Sequence, residues 1–94
     1  MIIRIVKMSF EPSKITDFKV HFETVRETIK AFQGNCFLEL YQDIDNESTF
    51  FTYSHWQTAE DLENYRQSDF FKKVWSETKI IFNSKPEAWS LLQQ

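Results

Sequence analysis

Phe50–Trp75, FFTYSHWQTAEDLENYRQSDFFKKVW, decides the fold. Its first seven residues are aromatic, β-branched or small, and with Thr49 they predict a strand over 49–56. Thr58, followed three residues later by Asp61, is a weakened capping box and starts a helix through TAEDLENYRQ. Ser68 is a second N-cap. It starts a stripe of Phe71, Val74, Trp75, Thr78, Ile81 and Phe82, so a break falls near Gln67. The stretch holds two of the three Trp, two of the three Tyr and four of the ten Phe. If the protein has a small-molecule pocket, its walls are expected here.

The neighbours on either side complete the pattern. Residues 36–43, CFLELYQD, read as a strand, and the polar Asp43–Ser48 turn joins it to 49–56 as an antiparallel hairpin. The turn length leaves the register open, and with it which residues face one another. Further upstream, Ile15, Phe18, Phe22, Val25, Ile29 and Phe32 recur at intervals of three and four, which predicts an amphipathic helix over 14–32. Pro12 or Ser13 suits its start, and Gly34, the only glycine, suits its C-terminal cap. Residues 2–10, IIRIVKMSF, form a first strand. Past the Asn83–Pro86 stop, EAWSLL at 87–92 can form a fourth. The order β-α-β-β-α-β is the ferredoxin-like α+β arrangement, an antiparallel sheet with its helices on one face, in a single domain over 1–94.

Composition narrows the functions. A 94-residue chain buries roughly two-thirds of its unfolded surface. Aromatics make up 17% of it, a large apolar load for a core, a pocket or a partner surface. Net charge is −3 with signs interspersed and no basic stripe, which argues against nucleic acid. Apolar runs fall far short of the roughly 20 residues that span a bilayer, which argues against a membrane segment. MIIRIVKM has charges inside its apolar stretch and is no signal peptide. One cysteine, Cys36, cannot form an internal disulfide, and the whole suits a cytoplasmic setting.

Two helices cover one face of a sheet, yet the first three strands carry apolar groups on both. Ile3 and Ile5 oppose Ile2, Val6 and Met8; Phe37 and Tyr41 oppose Leu38 and Leu40; Phe51 and Tyr53 oppose Phe50 and Trp56. A sheet with one wet face alternates more cleanly. The simplest cover is a second copy of the chain, giving a homodimer through the sheet face.

Three stretches resemble the antibiotic biosynthesis monooxygenase (ABM) domains, also called quinol monooxygenases, of the dimeric α+β barrel superfamily. They are Gly34–Asp43, with its Glu39-Leu40-Tyr41; Phe50–Trp56, with its closing Trp; and Ala59–Phe71, with Leu62, Ser68 and Phe71 in family spacing. The resemblance implies a homodimer and a pocket in each subunit between sheet and helices. It further implies oxidation of a small aromatic, a phenol, quinol or polyketide, by molecular oxygen without metal or flavin. The chain also departs from the family. Tyr65 and Phe70 stand where members often carry His, and Ser54 where they often carry an acid. It lacks the first-strand Asn of the haem-degrading branch and has Tyr65 for that branch's Trp and Trp75 for its haem-ligating His. Haem degradation is therefore not expected.

His55 and Glu39 are the candidate catalytic residues. His55 would be a general base near neutral pH; the plainer reading is a strand histidine with its nitrogens bonded or solvated. Glu39 would be a buried base with a raised pKa, or merely a strand carboxylate. Tyr53, Trp56, Tyr65, Phe70, Phe71 and Trp75 are candidate substrate contacts, though an aromatic stripe at helical spacing equally makes plain core. His21 reads as boundary packing. Two distant histidines with no Cys or Asp at ligand spacing predict no metal site. The expected function is cofactor-independent oxygenation of a small aromatic. The alternatives are a non-catalytic dimeric binding protein for such a molecule and a stress-related module with a filled interior.

Overall fold

The structure, a computed structural model, describes residues 1–94. Its elements are β1 (Ile2–Ser9), α1 (Ile15–Lys30), β2 (Asn35–Gln42), β3 (Thr49–Trp56), α2 (Ala59–Arg66), α3 (Asp69–Lys79) and β4 (Glu87–Leu92), with a 3-10 turn at Pro12–Lys14 before α1. The fold is ferredoxin-like α+β, and the strands pair antiparallel in the order β2-β3-β1-β4. No helix is long and apolar enough to cross a membrane.

Local chemistry explains the boundaries. Pro12 opens the 3-10 turn, where its missing N–H costs nothing. Thr58 and Ser68 are both N-caps: their hydroxyls accept from the backbone N–H of Asp61 and Phe71. The second helix is therefore two helices, broken at Gln67-Ser68. The α3 stripe is also shorter than its spacing suggests. The helix stops at Lys79, and Phe82 instead forms an isolated bridge to Phe10 that ties the end of β1 to the segment before β4. Gly34 does not cap α1, which ends at Lys30 with Ala31 as its C-cap. It enters β2 with φ at +85°, and its carbonyl accepts from Gln57 N–H. Only glycine adopts that φ without strain.

The hairpin register, open in the sequence, is set by pairs Phe37↔His55, Glu39↔Tyr53 and Tyr41↔Phe51, with a bulge that leaves Cys36 unpaired. β1 continues the rows: Ile3↔His55, Ile5↔Tyr53 and Lys7↔Phe51 on one side, and Ile3↔Leu91, Ile5↔Trp89 and Lys7↔Glu87 on the other. Side chains alternate across a strand, so these residues share one face, turned away from the helices. Rings touch along it: Phe37–His55 at 5.2 Å, Tyr53–His55 at 5.1 Å and Tyr41–Tyr53 at 6.3 Å between centroids. Phe37, Tyr41, Trp89 and Leu91 are all exposed there.

The opposite face carries Arg4, Val6, Met8, Leu38, Leu40, Phe50, Thr52, Ser54 and Trp56 under the helices. The densest packing lies at one end, where Phe10 stacks on Phe18 at 4.0 Å and both meet Phe50. Phe10, Phe50 and Trp56 are the most deeply buried large side chains. Toward the middle of this face the helices stand off from the sheet and leave a cavity.

Candidate functional site

A cavity of about 300 Å³ lies between the sheet and the helices. That is the lower end of the roughly 300–1,000 Å³ of small-molecule sites. Its floor is Arg4, Val6, Met8, Leu38, Thr52, Ser54 and Trp56; α1 contributes Phe18, His21, Phe22, Val25 and Ile29; α2 contributes Leu62, Tyr65 and Arg66; α3 contributes Phe71, Val74, Trp75 and Thr78. Pro86, Glu87 and Ala88 complete the rim.

The rings of the aromatic wall touch in a chain. Trp56 and Tyr65 stack at 5.0 Å, Tyr65 meets Phe71 edge-on at 5.1 Å, and Phe71 lies parallel to Trp75 at 6.0 Å. The Trp56 indole N–H donates to Ser54 Oγ at 3.1 Å, which fixes the ring plane. Burial pushes the Tyr65 phenol up from its ordinary value, so its hydroxyl stays protonated and can donate a hydrogen bond.

The polar groups come from three sides. On β1, Arg4 donates to Ser90 Oγ of β4 at 2.9 Å. Its pKa is lowered by burial first and by the like charge of Arg66 second, with Glu63 acting in the opposite sense. Arg66, at the end of α2, pairs with Glu63 at 3.0 Å. His21 enters from α1. Its Nε2 is enclosed and makes no hydrogen bond, and the nearest carboxylate, Glu77 on α3, is 4.0 Å away. Thr78 Oγ1 is occupied by the Val74 carbonyl at 2.7 Å. No three His, Cys, Asp or Glu side chains converge as a metal-binding set.

The site residues named from sequence divide into three groups. Trp56, Tyr65, Phe71 and Trp75 meet around the cavity. Phe70 lies one step off that wall and packs against Phe32 at 5.6 Å, half-buried at the edge of the core. His55, Glu39 and Tyr53 lie on the other face of the sheet, which corrects their expected part in a pocket under the helices. The cause is the register: each pairs, directly or through β3, with Ile3 or Ile5, not with Arg4 or Val6. Glu39 is about half exposed and 3.9 Å from Arg26, so it is not a buried base. His55 sits between Phe37 and Tyr53 with its Nε2 unbonded.

Three lining residues carry no pocket role in the sequence reading. His21 reads there as boundary packing, yet it lies three residues from Phe18 and four from Val25, which is stripe spacing, and it lines the cavity. Arg4 shares strand parity with Val6 and Met8, and that parity is the signal for it. Arg66 has no sequence signal, because its place depends on where α2 stops.

Comparison with known proteins agrees with this architecture. A conserved protein from Methanosarcina mazei superposes with a TM-score of 0.92 at 20% identity, over 100% of this chain and 94% of that one. A candidate antibiotic biosynthesis monooxygenase from Nitrosomonas europaea gives 0.90 at 17%, over 99% and 98%. Rv0793 from Mycobacterium tuberculosis gives 0.90 at 12%, over 99% and 94%. At such identities the likeness speaks to the fold. No curated protein sequence matches the chain. The family model for antibiotic biosynthesis monooxygenase matches residues 1–75, which include both central strands and every cavity-lining residue of α1, α2 and α3 except Thr78. The chain therefore belongs to the antibiotic biosynthesis monooxygenase family.

Proposed function

We propose that the chain is a monooxygenase that oxidises a small phenol- or quinol-type aromatic in the cavity under the helices, without metal or flavin. The observation that carries this reading is a half-enclosed aromatic wall, Trp56, Tyr65, Phe71 and Trp75, that shares its cavity with one imidazole, His21. A planar ring slides between such walls by offset stacking. His21, with Glu77 behind it, takes the proton of the substrate hydroxyl. The protonated Tyr65 hydroxyl donates to the resulting oxyanion. The electron-rich anion then reacts with oxygen. At an activated ring methylene the balance is CH₂ + O₂ → C=O + H₂O: two C–H bonds break, one oxygen atom enters the product, and the other leaves as water with both hydrogens. No external reductant is needed.

The second part of the proposal is a homodimer formed through the open sheet face. Ile3, Ile5, Phe37, Phe51, Tyr53, Trp89 and Leu91 make an apolar field there, larger than the scattered apolar residues of an ordinary monomer surface. In this arrangement His55 is an interface residue, covered by the second copy.

The test is oxygen uptake with 1,8-dihydroxyanthrone and 1,4-naphthoquinol. Wild type consumes oxygen above the protein-free rate, and His21→Ala lowers kcat by about 10²-fold or more, the usual worth of a positioned base. Uptake indistinguishable from the protein-free rate on both compounds refutes catalysis. Thermal stabilisation by the same compounds without turnover then favours a binding protein on this scaffold.

A further inference from the structure

We propose that the cavity takes an anionic aromatic molecule, an aryl carboxylate whose charge is received by Arg4 with Arg66 beside it. This rests on the cavity being the ligand site, as above, and adds the chemical class of the ligand. The protein carries a net charge of −3, yet the side chains that bring formal charge to the cavity wall are two guanidiniums. Glu87 also borders the cavity, but it pairs with Lys7 in the sheet, and alternation aims both side chains at the opposite face.

Arg4 is the decisive residue. It lies on a central strand, on the helix-covered face, between Ser54 and Ser90 in register, and both neighbours are uncharged. A guanidinium has five N–H donors. One hydrogen bond, to Ser90 Oγ at 2.9 Å, is the only side-chain bond it makes. Arg4 takes part in none of the protein's ion pairs. Arg66 is satisfied on one nitrogen alone, Nη1, by Glu63. Arg4 is partly stripped of water and repelled by the nearby Arg66; Glu63, which pairs with Arg66, offsets this only in part, and the Arg4 pKa stays lowered. Arg4 itself has no paired carboxylate; a ligand carboxylate supplies one, and a guanidinium fork fits its two oxygens in plane. The Trp56–Tyr65 stack beside the pair calls for a flat apolar body on that carboxylate, which a free inorganic anion lacks.

The experiment is calorimetric titration with three probes: 1-hydroxy-2-naphthoate, its uncharged amide 1-hydroxy-2-naphthamide, and inorganic phosphate. Wild type is expected to bind the acid about tenfold more tightly than the amide, with the difference shrinking as salt is added. Arg4→Met removes the preference by weakening the acid alone, and Arg66→Met moves it the same way by less. Should Arg4→Met fail to fold, Arg66→Met and the salt dependence of wild type carry the test. Equal affinity for acid and amide in wild type overturns the proposal, as does a preference unchanged in every folded variant. Phosphate binding as tight as the naphthoate overturns the aromatic part. Oxygen uptake separates this from the activity. An acid preference without uptake leaves the inference standing and removes the monooxygenase reading. Uptake on the neutral anthrone with no acid preference does the reverse.

Discussion

At the scale of single residues, the cavity depends on side chains held in one protonation state and one orientation. Tyr65 is the clearest case. Burial raises its pKa above the ordinary value of 10.0, so folding keeps a proton that the unfolded chain releases above that pH. Its contribution to stability is complete below about pH 10 and is lost as pH rises beyond it. Tyr65→Phe is therefore expected to flatten the fall of stability between pH 10 and 11, read from urea midpoints across that range. Gly34 makes a second prediction. Its φ of +85° disfavours any Cβ, and a Cβ built there collides with the Asp61 side chain at the start of α2. Gly34→Ala should cost about 1–2 kcal/mol for the left-handed backbone and more for the displaced Asp61, seen as a lower denaturation midpoint with unchanged slope.

At the scale of elements, the break between α2 and α3 shapes the site. A continuous helix from Ala59 to Lys79 would carry Tyr65 and Phe71 outward along one axis. The Ser68 cap restarts the helix instead, and Tyr65 meets Phe71 edge-on at 5.1 Å across the break. Ser68 also donates its own hydroxyl hydrogen to the Tyr65 carbonyl at 2.6 Å, which locks the two turns together. Ser68→Ala is expected to destabilise by about 1 kcal/mol, the usual loss of an N-cap. It should also loosen the aromatic wall, so ligand affinity falls more than stability alone explains; thermal melts and titration on the same variant separate the two. Both caps and the position of the break were legible in the sequence, because capping is local chemistry. The early stop of α3 and the Phe82–Phe10 bridge were not, since they depend on a strand more than seventy residues away.

At the scale of the molecule, one sheet presents two different surfaces on its two faces. The face under the helices is partly filled by a Phe-rich cluster at one end and leaves a cavity toward the middle. The other face is an aromatic field of Phe37, Tyr53 and His55, extended by Ile5, Trp89 and Leu91. Tyr53→Glu sets a charge in the centre of that field, next to Glu39 across the strand. Sedimentation is expected to give a dimer for wild type and an 11.4 kDa monomer for this variant, with the fold retained in far-ultraviolet circular dichroism. A wild-type protein that sediments as a monomer at micromolar concentration refutes the dimer.

The sequence by itself determined the element order, the ferredoxin-like class, the two helix caps and the apolar character of both sheet faces, because periodicity, capping and turn chemistry act over a few residues. It also carried the family likeness, through Gly34–Asp43, Phe50–Trp56 and Ala59–Phe71. Tertiary structure alone decided which face each strand residue takes. The turn between β2 and β3 allowed more than one register, and a shift of one residue exchanges the faces. The register that formed sends His55, Glu39 and Tyr53 away from the helices. The packing of α1 and α2 over the sheet brings His21 and Arg66 to Arg4 of β1, three charged or titratable groups from three different elements, around the cavity that Phe50–Trp75 walls only in part.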